Sequence, residues 1–331
     1  MPSNKNNRPI KTVLLVGASG YIGRHVALRL FQKELNVICL FRNIPEFEMP
    51  PRNKYVTNLV VDLNNKEELN AFSDSCPPFD AVISCLGSRT GGIRDSWNSE
   101  YLANLNILRL ALKRSARKFI LLSAICVQKP KLHFQRAKLA MENELIRSGM
   151  TYTIIRPTAF FKSLSGQVDR VKSGRKFILF DNGETTSCKP ISECDLAEFI
   201  CGSLSNPKQE NKILPIGGAS PAITPLAQGN LLFNLTGKKP TFLRVPSDFF
   251  KVLQAILTPF SYFSSLIRDR IEFLRIAHYY ATESMLYWES ESIGYSSDKT
   301  PEFGKESLKY FYMRALKKGL DGQDLGSHKL F

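Results

Sequence analysis

The chain has 331 residues, enough for one large domain or two modest ones and for a core that needs neither disulfides nor metal. Its 43% hydrophobic and 23% charged residues are those of a soluble globular protein, not of a disordered or fibrous one. The formal net charge of +15 suits nucleic acid, anionic membranes or acidic small molecules, unless it is merely spread over solvated faces; no helix-turn-helix, zinc-finger or RNP pattern supports nucleic acid.

The start, Met1 to Lys11, is polar; it lacks the apolar core of a signal peptide and is too brief for a typical transit peptide. Thr12 to Val16 is a β-branched apolar run that ends in glycine, a buried strand. Tyr21 to Lys33 carries Ile22, Val26 and Leu30 at helical spacing. Strands follow at Val37 to Phe41 and at Leu59 to Val61, the latter closed by Asp62, and then comes a polar helix through Glu67 and Glu68. Ala81 to Cys85 is a fourth strand that ends at Leu86-Gly87, Asn104 to Arg114 a helix, Phe119 to Ser123 a fifth strand, Phe134 to Ser148 a helix and Tyr152 to Ile155 a sixth strand. This alternation predicts an α/β fold with a parallel sheet wrapped on both faces.

After Arg156-Pro157 the pattern loosens. Asp195 to Leu204 and Ala227 to Leu235 read as short helices, and the Pro-rich stretch Leu214 to Pro225 as an excursion over one face. The division expected is a dinucleotide-binding part, residues 1–158, and a substrate-binding part, residues 159–331, with some segments returning to the sheet. Phe249 to Ile267 is the most apolar late stretch, but Lys251, Gln254, Pro259 and several serines disqualify it as a membrane span. It reads as a helix over a pocket or, failing that, one lying on a bilayer surface. The seven cysteines include no C-x-x-C pair; Cys39, Cys85 and Cys126 sit in or beside apolar runs and read as reduced, buried small hydrophobes.

Gly17-Ala18-Ser19-Gly20-Tyr21-Ile22-Gly23 places glycines at G-x-x-G-x-x-G spacing between the first strand and the first helix. Glycine permits the tight turn, lets the backbone approach a pyrophosphate and lets helix and strand pack closely, while the helix N-terminus offers free N–H groups to the phosphates. This is the Rossmann arrangement of a doubly wound sheet. About 20 residues on, where an NAD site carries an acid, stands Phe41-Arg42-Asn43. Arg42 can grip a 2′-phosphate, which favours NADPH; the alternative is a solvated strand end. Asp62-Leu63 and Leu86-Gly87 end strands at the same edge and join the expected cofactor site, with Asp62-Leu63 beside the adenine.

Phe134-Gln135-Arg136-Ala137-Lys138 keeps the spacing of the Tyr-x-x-x-Lys pair of short-chain dehydrogenases, with phenylalanine in the tyrosine position, and Ser123 ends the fifth strand where those enzymes place a serine. The chain therefore resembles the atypical short-chain dehydrogenases, which include the isoflavone-reductase-like and NmrA-like proteins. Further blocks are Leu122–Pro130, Ile155–Ser163, Cys188–Ser192, Leu214–Gly218, Tyr279–Met285, Thr300-Pro301 and Phe303–Lys305. Through these it is more closely similar to the NADPH-dependent divinyl chlorophyllide a 8-vinyl-reductases, over most of its length.

That resemblance implies reduction of a conjugated vinyl group on a Mg-tetrapyrrole, with no protein metal site and no nucleic-acid partner. It implies a cytoplasmic or plastid-stromal place, peripheral to a photosynthetic membrane. Lys138 would bind the nicotinamide ribose, and Pro157 and Thr158 the carboxamide, or they simply end a strand. Lys138, Ser123 and Tyr280 are the expected catalytic groups; Tyr279 or Tyr280 would donate a proton or wall the pocket, the alternative being a hydrogen-bonded core tyrosine. Phe160 and Phe161 would form an apolar wall against the macrocycle or pack in the core, and Lys162 or Lys189 would pair with a propionate or lie exposed. Phe134, unable to exchange a proton, keeps open an NmrA-like NADP(H) sensor without turnover.

Overall fold

The computed structural model describes residues 8–43, 55–262 and 264–319. The first seven residues of the polar start, and Phe263 within the apolar late stretch, lie outside the described residues. The strands are β1 (Thr12–Val16), β2 (Asn36–Phe41), β3 (Val56–Val60), β4 (Ala81–Ser84), β5 (Lys118–Leu122), β6 (Thr151–Pro157), β7 (Phe177–Phe180), β8 (Lys212–Gly218), β9 (Phe242–Val245), β10 (Tyr287–Ser290), β11 (Gly294–Ser296) and β12 (Glu302–Phe303). The α-helices are α1 (Tyr21–Gln32), α2 (Lys66–Ser75), α3 (Ile93–Ser96), α4 (Ala103–Lys113), α5 (His133–Arg147), α6 (Val168–Lys172), α7 (Glu193–Gly202), α8 (Pro225–Thr236), α9 (Phe249–Leu257), α10 (Ser265–Thr282) and α11 (Leu308–Lys318).

Eight strands form one sheet in the order β12-β8-β6-β5-β4-β1-β2-β3, parallel at every pairing. Strands covered on both faces need apolar residues at successive positions, which is why Thr12–Val16 and Lys118–Leu122 read as runs rather than alternations. Val13 and Leu15 face α1 and α7, where Val26, Leu30, Leu196 and Ile200 bury them. Leu14 and Val16 face the opposite layer, with Phe72 of α2, Ile107 of α4 and Met141 of α5. The order of strands reverses between β1 and β4, and the crevice beyond the carboxyl ends of those strands is where open α/β sheets bind ligands.

The later half of the chain is not confined to one side. It returns to the sheet as β8 and β12 and supplies α7, while β7 and β9 pair separately and join α6, α8 and α11 in a second core around Phe161, Phe233 and Tyr312. Two sequence expectations change here. The stretch from Leu214 opens not as an excursion but as strand β8, in register with β6. Pro215 is tolerated because the Ile216 carbonyl faces β6 and the Gly217 N–H faces Pro301, so by alternation the Pro215 nitrogen points to the side where β12 has not yet begun. The Phe249 to Ile267 stretch is not one helix. A 3-10 turn at Thr258–Tyr262, built around Pro259, separates α9 from α10.

Candidate active site

The glycine loop is a cradle that side chains would fill. Gly17 has φ +80°, and a Cβ there would stand 2.7 Å from the Cys85 carbonyl; a Cβ on Gly23 would stand 2.0 Å from the Gly17 oxygen. The loop thus presses against the end of β4, and α1 against the loop. Gly20 caps α1, and the first intrahelical bond runs from Arg24 N to the Gly20 oxygen. The amides of Tyr21, Ile22 and Gly23 come before it and remain for an anion, and no acidic side chain stands in that turn to compete. Ser19 lies half-buried in the loop.

Arg42 lies exposed just past β2, whose Leu40 is in register with Val16, so it stands beside the loop. Among the described residues nothing pairs with it. Asp62 uses its carboxylate to accept the Asn64 N–H at 3.0 Å, its own N–H donates to Glu68 at 2.8 Å and its carbonyl accepts the Asn65 N–H at 3.0 Å, and Leu63 is buried in the core, so this turn offers a base an edge to pack on rather than free backbone groups. Gly87 is exposed beyond β4, next to half-buried Leu86.

Lys138 projects from α5 and donates to Glu100 at 2.7 Å; the other Glu100 oxygen accepts the Ser88 N–H at 2.9 Å. Glu100 is 5% exposed and lies in a π-helical stretch, Trp97–Leu102, between α3 and α4. The wider turn directs this carboxylate inward, and such stretches recur at functional sites. Tyr280, near the end of α10, brings its hydroxyl end to the same place, beside the Cys126 thiol and within the field of Glu100. The residue as a whole remains 39% exposed, yet burial of the hydroxyl end, with Cys126 and Tyr279 nearby, pushes the phenol well above its usual pKa. Burial likewise pushes the Cys126 thiol up to about 11. A proton donor with a raised pKa holds its proton at neutral pH.

The structure brings Lys138, Ser123 and Tyr280 to one end of the sheet but gives them different surroundings. Ser123 is buried, and its hydroxyl donates to Glu142, which also holds Arg156. Tyr279 is core, its hydroxyl donating to the Cys126 carbonyl at 3.0 Å. Thr158 spends its N–H on Ile216 and its hydroxyl on the Lys189 carbonyl, and Pro157 beside it is buried and has no N–H, so any carboxamide contact falls to their carbonyl oxygens. Of the two places open to it, a substrate wall or the core, Phe161 takes the core, fully buried against Phe311; Phe160 stays nearer the site, its ring centroid 6.4 Å from that of Tyr21. The Tyr21 hydroxyl turns away to Glu193 at 2.6 Å, so only its backbone serves a phosphate. Lys189 is neither exposed nor free for a propionate: it is buried on Ser297 and Glu302. Lys162 lies over the Tyr21 ring, 4.8 Å from its centroid. Phe134 packs among Ile125, Cys126 and Tyr279, an apolar position with no proton to exchange. Glu100 is the residue sequence reasoning missed. Among the described residues no group of His, Cys, Asp and Glu could hold a metal ion; His328 lies outside them.

Glycine cradle, switch-point crevice and lysine-bearing helix define a Rossmann-type NAD(P)H-binding protein, and a family model described as NAD(P)H-binding matches residues 17–207. The chain belongs to the divinyl chlorophyllide a 8-vinyl-reductase family. It is 44% identical to the divinyl chlorophyllide a 8-vinyl-reductase, chloroplastic, of Cucumis sativus over 96% of this chain and 79% of that protein. It is 42% identical to the Arabidopsis thaliana protein of the same name over 98% and 82%. A weaker likeness, 22% over 80% of the chain and 79% of the relative, is to the photosystem II assembly factor Ycf39 of Synechocystis. Among solved structures, a nucleoside-diphosphate-sugar epimerase from Staphylococcus aureus matches with TM-score 0.65 at 15% identity over 91% of this chain and 99% of that one. UDP-glucose 4-epimerase of Thermotoga maritima matches with TM-score 0.61 at 18% identity over 71% and 86%. These two likenesses concern the fold.

Proposed function

We propose that the chain reduces the C8 vinyl group of divinyl chlorophyllide a, or of its protochlorophyllide precursor, to ethyl with NADPH, working at the surface of a photosynthetic membrane from the cytoplasm or stroma. The carrying observation is the 44% identity to a named 8-vinyl-reductase across 96% of the chain. The glycine cradle and Arg42 support NADPH.

When bound, the cofactor supplies a hydride to the terminal vinyl carbon. The negative charge left on the substrate spreads into the macrocycle, so a strong acid is needed less urgently than in carbonyl reduction, which accounts for the tolerance of Phe134. The first helical amides and Arg42 hold the dinucleotide, Lys138 holds the ribose and Phe160 lines the apolar approach. Tyr280, with its raised pKa, keeps a proton ready for the inner vinyl carbon, and the Glu100–Lys138 pair orders that end of the site.

Purified protein mixed with NADPH and divinyl chlorophyllide a should blue-shift the Soret band, and deuterium from stereospecifically labelled NADPH should appear in the new ethyl group. NADPH binding with no spectral change, aerobically and anaerobically, would sink the reductase reading. It would support instead a sensor that binds without turnover, which Phe134 favours.

A further inference from the structure

The α9–α10 hairpin carries an apolar surface that the active site does not use. α9 is apolar on both sides. Phe250 is buried, packing on Phe180 at 5.0 Å and on Ala277 and Ala281, and so pins the helix down. On the outer side Phe249, Val252 (57% exposed) and Ile256 (58%) recur at helical spacing, and Phe260, Tyr262 and Leu266 (73%) continue the surface around the turn. An apolar cleft of about 290 Å³ opens between the two helices, lined by Leu253, Leu257, Phe273 and Leu274 with Arg270 beside them.

Two features identify what covers this face. First, the turn is satisfied from within: the Thr258 hydroxyl donates to the Gln254 carbonyl and the Ser261 hydroxyl to the Thr258 carbonyl, each at 2.7 Å, while Arg268 donates to the Ser261 carbonyl at 3.2 Å. Backbone in helical turns with its hydroxyls folded back is the form a segment must take to enter hydrocarbon, where no water remains to bond. At a protein interface, where partner groups and trapped water can bond such atoms, the demand is weaker. Second, from Arg244 to Arg275 five cations stand against three carboxylates. Of those carboxylates Glu272 is buried and paired with Arg275, and Asp248 is taken by Lys251. Among the described residues Arg270 is unpaired. An apolar face bearing aromatics and rimmed by cations complements anionic headgroups over acyl chains.

We propose that the outer face of α9, the turn after it and the first turn of α10 insert into the headgroup boundary of an anionic lipid bilayer, with Arg270 set among the headgroups. The proposal names the surface behind the membrane association put forward above and rests on that reading. Phe273 and Tyr280 lie two turns apart on α10, so the same face leads along the helix toward the site. Gly91 and Gly92, in the loop after β4, fit tightly under Ile276 and Asp269, which seats α10 against the mouth of the crevice.

Flotation with phosphatidylcholine vesicles, with and without phosphatidylglycerol, tests this without any pigment. The wild-type protein should float with the anionic vesicles only, and less as salt rises. Val252→Glu combined with Ile256→Glu should weaken binding by more than about tenfold, and Arg270→Ala by about fivefold. Both variants should bind NADPH as the wild type does, which certifies their fold. Wild-type protein that stays off anionic vesicles, or a double variant that floats equally well, would overturn the proposal. So would a concentration-dependent dimer that the double variant abolishes, because the face would then belong to a second copy. Vesicle binding without vinyl reduction would instead remove the enzymatic reading and leave the surface standing.

Discussion

Arg42, Lys138 and Tyr280 carry the residue-level claims. Replacement of Arg42 by alanine removes charge-assisted bonds to a 2′-phosphate and nothing else that is paired among the described residues. The Kd for NADPH should rise roughly 10- to 100-fold, while that for NADH should change by less than about twofold, read by quenching of protein fluorescence; equal losses would refute the assignment. Lys138→Ala should lower kcat by roughly 100-fold or more with the fold intact. Tyr280→Phe separates proton sources. If the phenol supplies the proton, kcat falls by a similar factor and the solvent isotope effect changes; if water does, both stay near the wild-type values.

These positions differ in how far the sequence announces them. Gly17 and Gly23 are legible because their spacing between an apolar run and a helix is itself the physical requirement. Lys138 is legible from a four-residue interval. Glu100 is not, because it enters the site through a π-helical turn that no composition signal marks. Phe160 and Phe161 are adjacent aromatics at a turn, and neighbouring side chains there diverge; only tertiary packing decides that Phe161 enters the second core.

Among the elements, one carboxylate just past α10 gathers several partners from the loop that follows β5 and from β11. Glu283 accepts from Tyr295 at 2.6 Å, pairs with Lys129 at 3.1 Å and contacts Lys131. Burial works to raise its pKa, but Lys131, Tyr295 and Lys129 outweigh burial and hold it below the usual carboxylate value. A depressed folded-state pKa stabilises above the unfolded value, near 4.3, and that contribution disappears as pH falls through the folded value. Glu283→Gln should therefore cost about 1–3 kcal/mol at neutral pH. The gap to wild type should close in acid, as urea titrations at several pH values would register. The strands of the first half are legible because buried parallel strands read as apolar runs. β8 is obscured by Pro215, whose tolerance depends on where β12 starts, a partner some 85 residues away.

At the scale of the whole molecule, the later half of the chain builds the second core and also supplies β8, β12 and α7 to the sheet, so the sheet and that core should melt together. Calorimetry should record one transition, moved up by NADPH as a single unit; at a hundredfold excess over Kd the added stability is about 2.7 kcal/mol. Two separate transitions, only one of them responding to the nucleotide, would show that the halves fold independently. The division read from sequence at residue 158 would then describe real units.

The pairing of β12 with Gly217 and Gly218 also sets an order of events during synthesis. A ribosome delivers β8 well before it delivers the two residues that pair with the end of that strand's outer edge. At roughly 5–20 residues per second the nascent chain spends several seconds with that edge bare. Through this interval the polypeptide is open to mispairing with its neighbours on a polysome, and a chaperone that shields strand edges would have its greatest effect there. Premature termination anywhere before Glu302 should therefore yield aggregates rather than a smaller working protein.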